Sequence, residues 1–390
     1  MASSVTVLGS DHSSISLSFD SASTFSLAQQ IAARINASVT GGYNYVTSFD
    51  NVPPPAVPAG YVGGYYQTQT NFVIMPTGYV VDLVKTAGSA FVLASAESDQ
   101  MIMSGEGTNL YFVATQGSGT VVGGGGTSRF VVSSPGNWDL ASGNGNDVIQ
   151  ATGSGNDTVN AGGGSNLIVL GGGNDLITSL GNDTVYAGNG SETINATGAS
   201  SDVVIGGSGE LLFVGGAGGA TIYGGSGSDT YLGSAGTQGS QVIHGGSGGN
   251  NMLVAGDGAA SLFAGGNGDQ LYAFGSAAQL LQAAGGSETL SAAASFGNDT
   301  LVGGSGHTTM MASLGQSTFQ FIEGSAGNDV IRGLTPASTF SIHLSNFSAG
   351  EAANAVATQI NSGGNTTINL SDGTQITLEN ISHLDISKFS

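Results

Sequence analysis

The chain has 390 residues, of which 68 are glycine, 7 proline and none cysteine, and it carries 26 acidic side chains against 5 basic ones for a net charge of −21. That balance argues against nucleic acid and anionic membrane as partners, the missing cysteines exclude disulfides and thiolate metal sites, and no apolar run approaches the ~18 residues of a transmembrane helix. Self-repulsion among so many acids would be relieved by divalent cations, for which carboxylates and carbonyls are hard oxygen ligands.

Residues 1–86 read as an α/β capping or assembly domain. Met1 to Val7 has neither a basic nor an apolar leader region, so no Sec-type signal is expected. Val5–Leu8 and Ile15–Phe19 alternate as two strands around Gly9–Ser14, and Leu27, Ile31, Ala32 and Ile35 have helical spacing within Phe25–Val39, with Ser26 as the expected N-cap. The Gly-, Tyr- and Pro-rich stretch 41–66 is expected to be a loop, followed by strands at Phe72–Met75 and Tyr79–Val84.

From 87 to 334 the sequence repeats. Apolar residues recur at intervals of roughly nine or ten: Val92, Ile102, Tyr111, Val121, Val131, Leu140, Ile149, Val159, Ile168, Ile177, Val185, Ile194 and Val204, then from Phe213 through Tyr231, Leu253, Leu271 and Leu290 to Ile331. Glycine-rich turns separate them. Gly224-Gly-Ser-Gly-Ser-Asp229-Thr-Tyr-Leu is the cleanest unit, and Gly143-Asn-Gly-Asn-Asp147, Gly153-Ser-Gly-Asn-Asp157 and Gly171-Gly-Gly-Asn-Asp175 follow the same plan. Glycine reaches positive φ without a Cβ clash, and Asn and Asp bond their own backbone, so the chain reverses within a few residues. The three residues after each Asp then form a short strand whose middle side chain points inward. One such unit cannot bury its single apolar side chain; stacked units bury a column.

These units resemble the RTX (repeats-in-toxin) calcium-binding β-roll, with the pattern G-G-x-G-x-D-x-U-x in which U is large and apolar. The resemblance is densest at 142–202 and returns at 224–232, 297–302 and 327–332. It implies an all-β protein: a parallel β-roll or β-helix solenoid over 87–334, with small α+β capping domains at 1–86 and 335–390. It also implies Ca2+ held by turn carbonyls and by carboxylates of neighbouring rungs, the candidates being Asp147, Asp157, Asp175, Asp183, Glu192, Asp202, Asp229, Asp299 and Asp329. Residues about 18 apart share an edge of the coil, which puts Asp147, Asn166, Asp183 and Asp202 on one edge and Asp157, Asp175 and Glu192 on the other. Asp157–Asp175 is the best pair. The alternative is an Asn/Asp turn ladder that stays metal-free. Beyond 203 the Asp position holds Leu211, Ala220, Gln241, Asn251, Ala260, Gln279, Thr308 or Ser317, with Glu288 as a substitute, so that part is expected to hold together without metal.

In the C-terminal piece, 335–390, a helix is expected over Ala349–Ile360, then a hairpin of Thr366–Leu370 and Gln375–Leu378 about Ser371-Asp-Gly-Thr. It resembles, more loosely, the C-terminal region of proteins exported by type I secretion. Both end pieces would cap open rungs that otherwise invite aggregation.

Val148, Leu167, Val169, Tyr186, Val203, Ile205, Tyr223 and Val242 fall on one outward face, an apolar strip that another copy of the chain, or residues 1–86, should cover. No His-Glu-x-x-His occurs, and Gly245-Gly-Ser247-Gly-Gly lies in a turn and lacks the strand–elbow–helix setting of a nucleophile. The expectation is a secreted, non-enzymatic, calcium-binding structural protein, extracellular or at the cell surface, a homo-oligomer or homopolymer that builds a filament, surface layer or biofilm matrix. The alternatives are an adhesin or carbohydrate-binding module that presents Tyr43, Tyr45, Tyr61, Tyr65 and Tyr66 to an extracellular polysaccharide, and a polysaccharide lyase or epimerase on a β-helix. Arg129 and Arg332 are the only basic side chains of the repeat region, which gives chemistry on acidic sugars little support.

Overall fold

The computed structural model describes residues 3–42, 44–233, 236 and 239–390, so Tyr43 lies outside the described residues. The chain divides into two units, Met1–Val203 and Val204–Ser390. Each is built on a parallel β-solenoid of two facing sheets, and the fold is mostly β with two α-helices among the described residues.

In the first unit, strands Ser3–Leu8 and Ser14–Phe19 pair antiparallel, and their inward residues Val5, Val7, Ile15, Leu17 and Phe19 pack on helix Ala22–Thr40 through Ala28, Ile31, Ala32 and Ile35. The N-cap is Ser21, whose hydroxyl accepts the Thr24 N–H at 3.2 Å, not Ser26. Phe25 is thereby drawn into the first turn, so the helix starts ahead of the apolar stripe that reveals it. The same cluster continues into Val81, Leu83, Met101, Met103 and Val122 on the outer face of one solenoid sheet. That sheet runs Tyr45–Phe49, Val62–Gln67, Tyr79–Val84, Gln100–Ser104, Gly119–Val122, Trp138–Ala141, Thr158–Gly162, Leu176–Ser179 and Glu192–Asn195. The opposite sheet alternates with it in sequence, from Phe72–Ile74 through Gly88–Leu93, Thr108–Ala114, Arg129–Val132, Val148–Ala151 and Leu167–Leu170 to Thr184–Tyr186.

Parallel pairing therefore begins upstream of residue 87, and the stretch expected to be a loop supplies the strands Tyr45–Phe49 and Val62–Gln67. Tyr45, Tyr65 and Tyr66 are buried there, and of the tyrosines proposed as a platform Tyr61 remains exposed among the described residues. The inward column holds Val121, Leu140, Val159, Ile177 and Ile194 on one sheet and Phe130, Ile149, Ile168 and Val185 on the other, all buried. Tyr111 and Val131 belong to neither column. Leu110, Phe112, Phe130 and Val132 point inward instead, and Tyr111 is 41% exposed. Where apolar residues run unbroken, as in Leu110–Val113 and Phe130–Val132, alternation no longer fixes which parity faces the core, and a shift of one residue reverses every side chain.

The second unit repeats the plan. One sheet runs Leu211–Val214, Thr230–Leu232, Met252–Val254, Gln270–Gly275, Ser287–Ser295, His307–Met311 and Asn328–Arg332. The other runs Gly219–Tyr223, Gln241–His244, Ala260–Phe263, Gln279–Gln282, Asn298–Val302, Gln316–Ile322 and Phe340–Ser345. Gln375–Leu378 adds in parallel to Asn328–Arg332 and pairs antiparallel with Asn365–Asn369, closing that edge with the expected hairpin. The C-terminal helix is Glu351–Ala357, shorter than its apolar pattern allows.

Candidate metal-binding edges

Each turn places the residue that precedes the strand in register with its counterpart one rung away. In the first unit one edge stacks Ser128, Asp147, Asn166, Asp183 and Asp202, and the other stacks Trp138, Asp157, Asp175 and Glu192. These are the two edges expected from the spacing of about 18. In the second unit one column is Asp229, Asn251, Asp269, Glu288, Thr308 and Asp329, and the other brings Gln279, Asp299 and Ser317 together. Asp269 is absent from the sequence-derived candidates. Its turn, Gly265-Gly-Asn-Gly-Asp269, is one residue shorter than the nonapeptide pattern, and its position two residues before inward Leu271 was the usable signal.

The side chains in these columns link successive rungs. Ser128 N–H donates to Asp147 Oδ1 at 2.6 Å, Trp138 N–H to Asp157 Oδ1 at 2.8 Å, Asp157 N–H to Asp175 Oδ1 at 2.8 Å and Asp183 N–H to Asp202 Oδ1 at 3.0 Å. In the second unit Leu211, Asn251 and Gln279 N–H donate in the same way to Asp229, Asp269 and Asp299, at 3.0, 2.8 and 3.0 Å. One oxygen of each of these aspartates thus fills a place in the backbone ladder.

The second atom separates two kinds of rung. Where the residue is asparagine, its NH2 group turns back on its own turn and donates to the carbonyls five and three residues earlier. Asn166 Nδ2 reaches Ala161 O and Gly163 O at 3.0 and 3.4 Å, and Asn251 Nδ2 reaches Gly246 O and Gly248 O at 3.1 and 2.7 Å. Gln100 does the same with Ser95 O and Glu97 O at 3.0 and 2.8 Å. Asparagine and aspartate make the same Oδ1 bond, so aspartate sets an oxygen where asparagine sets a donor. Among the described residues Asp147, Asp157, Asp175, Asp202 and Asp299 each have an Oδ2 that is buried and lacks a hydrogen-bond donor, and Glu192 and Glu288 each have one such oxygen. A bare carboxylate oxygen among carbonyl oxygens costs several kcal/mol unless a proton or a cation intervenes, roughly 1–3 kcal/mol for a neutral group and more for a charged one.

Burial accordingly pushes the pKa of Asp147, Asp175 and Asp202 up to about 6, and that of Glu192 to about 7. The neighbouring carboxylate of the adjacent rung adds to the rise at Asp175, from Asp157, and at Glu192, from Asp175. Asp329 is pushed to about 7 by burial, with Thr308 beside it pulling the other way and neither oxygen in hydrogen-bonding geometry with a described donor. Three aspartates are satisfied by the protein. Asp183 accepts from Asn166 N–H and Nδ2 on one oxygen and from the Ser179 hydroxyl, 2.7 Å away, on the other. Asp229 Oδ2 accepts from Gly225 N–H and the Tyr231 hydroxyl, and Asp269 Oδ2 from Gly265 and Gly266 N–H.

The donor set fits a hard cation: one or two carboxylates per position, with turn carbonyls nearby. No group of three or more His, Cys, Asp or Glu side chains gathers among the described residues, so backbone oxygens would have to complete any coordination shell.

The family model of the RTX calcium-binding nonapeptide repeat (4 copies) matches residues 141–177, 176–198, 212–237, 238–273, 291–310 and 314–334. No curated protein matches the chain. The matches cover most of the turns just described, including 238–273, where Asp269 lies, but not those of Asp202 and Glu288. Nonapeptide repeats of this type are calcium-binding. With those repeats wound into a parallel solenoid whose turns stack carboxylates in register, the chain carries RTX calcium-binding repeats in a β-roll.

Proposed function

We propose that this protein is a secreted, non-enzymatic structural protein that takes up Ca2+ along its acidic edges and assembles with copies of itself into an extracellular filament, surface layer or biofilm matrix. RTX repeats suggest a secreted protein, and no helix among the described residues is long and apolar enough to cross a membrane. Residues 335–390 are the proposed type I secretion region and end cap. The metal ligands proposed are Asp147, Asp157, Asp175, Glu192, Asp202, Asp299 and Asp329, whose orphaned oxygens have no other partner, with Asp183 and Asp229 as weaker members. Bound calcium supplies the positive charge that lets these carboxylates stay ionised at neutral pH. The residues themselves fix the rung spacing through Oδ1 and direct the other oxygen into the turn.

The single observation that supports assembly is the apolar outer strip. On the first unit's sheet opposite the helix, Leu167, Tyr186 and Val203 are 37%, 45% and 37% exposed. The N-terminal helix packs on the other sheet, so it does not supply their cover. Electron microscopy of the purified protein in calcium and then in chelator tests the reading. Calcium-dependent filaments or sheets are expected; monodisperse particles under both conditions would overturn it.

A second reading, a carbohydrate-binding adhesin, is favoured by one feature. Phe72 stacks on Phe91 with ring centroids 5.2 Å apart, Phe91 meets Tyr111 edge-on at 5.2 Å, and Arg129 lies 5.7 Å over Tyr111. This row on the outer sheet face is the surface a sugar ring would stack on. Glycan-array binding lost in Tyr111→Ala, with particles remaining monodisperse, would favour it over assembly.

A further inference from the structure

Within the reading that the acidic edges take calcium, we infer that the first rung of one edge forms a divalent-cation site shared with the N-terminal cap, in which Asp20 supplies a carboxylate that the solenoid lacks there. The cation would clasp helix Ala22–Thr40 to the coil.

The edge in question is the one that stacks Ser128, Asp147, Asn166, Asp183 and Asp202. Its turn at 123–128 is Gly-Gly-Gly-Gly-Thr-Ser, so Ser128 stands where later rungs carry an acid. A cation between this turn and the next would find Asp147 on one side and no carboxylate on the other. The structure places one there from outside the coil. Asp20, between strand Ser14–Phe19 and the helix, lays its carboxylate over Gly125, so that a Cβ at Gly125 would stand 2.2 Å from Asp20 Oδ2. Gly125 has φ +99°, and only glycine leaves that approach open.

The cap is held to the turns on either side of 123–128. Glu106 N–H donates to Ser18 O at 2.7 Å, and Asn144 Nδ2 donates to Asp20 O at 3.2 Å. Among the described residues no hydrogen bond reaches the Asp20 carboxylate, and Asp147, 1% exposed, has an Oδ2 without a donor. The two acids sense one another, since Asp20 is among the groups that raise the Asp147 pKa. The ordinary reading of an acid ahead of a helix is a cap, but Ser21 already fills that role. The helix's one basic side chain, Arg34, pairs with Asp99. Asp20 over Gly125, and Asp147 on the next rung with a buried, unpartnered oxygen, are the two carboxylates a hard cation would take at this turn.

Hydrogen exchange of the full chain, read in calcium chloride and in EDTA for wild type and Asp20→Asn, tests this. Protection of a calcium-linked element grows as one plus the ratio of free calcium to its Kd, so calcium at about ten times Kd should slow helix exchange about tenfold in wild type. In Asp20→Asn that increment should vanish for Ala22–Thr40, while the strands at 158–195 keep theirs. If the helix of Asp20→Asn responds to calcium as in wild type, or if the wild-type helix does not respond while 158–195 does, this inference falls and the edge reading stands. If no segment of the wild type responds, both fall. Thermal unfolding of Asp20→Asn in EDTA, expected to match wild type, separates loss of the cation link from misfolding.

Discussion

Asparagine and aspartate differ here by one atom, and that atom decides whether a rung is self-contained. Asn166 and Asn251 close their turns with an N–H2 group; Asp157 and Asp175 leave an oxygen facing the same kind of carbonyl cradle. Asp175→Asn is therefore expected to raise the melting temperature in EDTA and to shrink the rise that calcium produces, whereas Asp175→Ala, which strips the acceptor from Asp157 N–H, should cost about 1–3 kcal/mol in both conditions. A calcium increment unchanged in Asp175→Asn would remove that residue from the ligand set. The same carboxylates set a pH dependence. Their folded pKa values lie above the ordinary values, near 6 for Asp147, Asp175 and Asp202 and near 7 for Glu192. The folded state thus holds protons that the unfolded chain has released, and this contribution to stability is complete below the unfolded pKa and lost as pH rises through 6 to 7. Melting in EDTA should accordingly fall between about pH 5 and about pH 8, and saturating calcium should flatten or reverse the fall. A melting point in EDTA that rises over that interval would contradict the burial of these groups.

At the scale of the strand and its turn, much was legible because one side chain per repeat is inward and its neighbours are not. Val159 and Ile194 stand out between polar flanks, and both are buried. The reading slipped at Tyr111 and Val131, where the flanks are themselves apolar and parity carries no signal. It missed Asp269 because a shortened turn breaks the pattern while the stacking tolerates it, and it took Tyr65 and Tyr66 for a surface because clustered Tyr, Gly and Pro look like a loop until a parallel neighbour buries them. The two acidic edges of the first unit could be drawn from spacing alone. Which oxygens remain unpaired could not, since that depends on hydrogen bonds from the rung before. The turns are equally exacting. At Gly173, φ is +106° and a Cβ would lie 2.0 Å from Gly155 O. Gly173→Ala should destabilise the fold by more than the ~1 kcal/mol of a tolerated glycine change, visible as a lower urea midpoint.

For the whole molecule, the apolar strip and the acidic edges make separable demands. Leu167→Lys combined with Tyr186→Lys alters side chains that already point to solvent, so the melting temperature should hold while filaments or sheets disappear from micrographs. Filaments that persist in this double variant would place the contact elsewhere. The ladder also has a polarity. Along the acidic columns the Oδ1 links are donated by the earlier rung and accepted by the later one, from Ser128 to Asp147 as from Gln279 to Asp299, whereas the turn asparagines Asn137, Asn146 and Asn156 accept from the later rung. Cutting a coil of this kind is therefore not symmetric. Along the acidic columns, trimming from the leading end strands a carboxylate oxygen, which water, a proton or a cation can satisfy, whereas trimming from the trailing end strands a main-chain N–H, which only an acceptor such as water can satisfy. A nascent coil meets the second situation at every step of synthesis, and its tip stays unfinished until the following repeat has arrived.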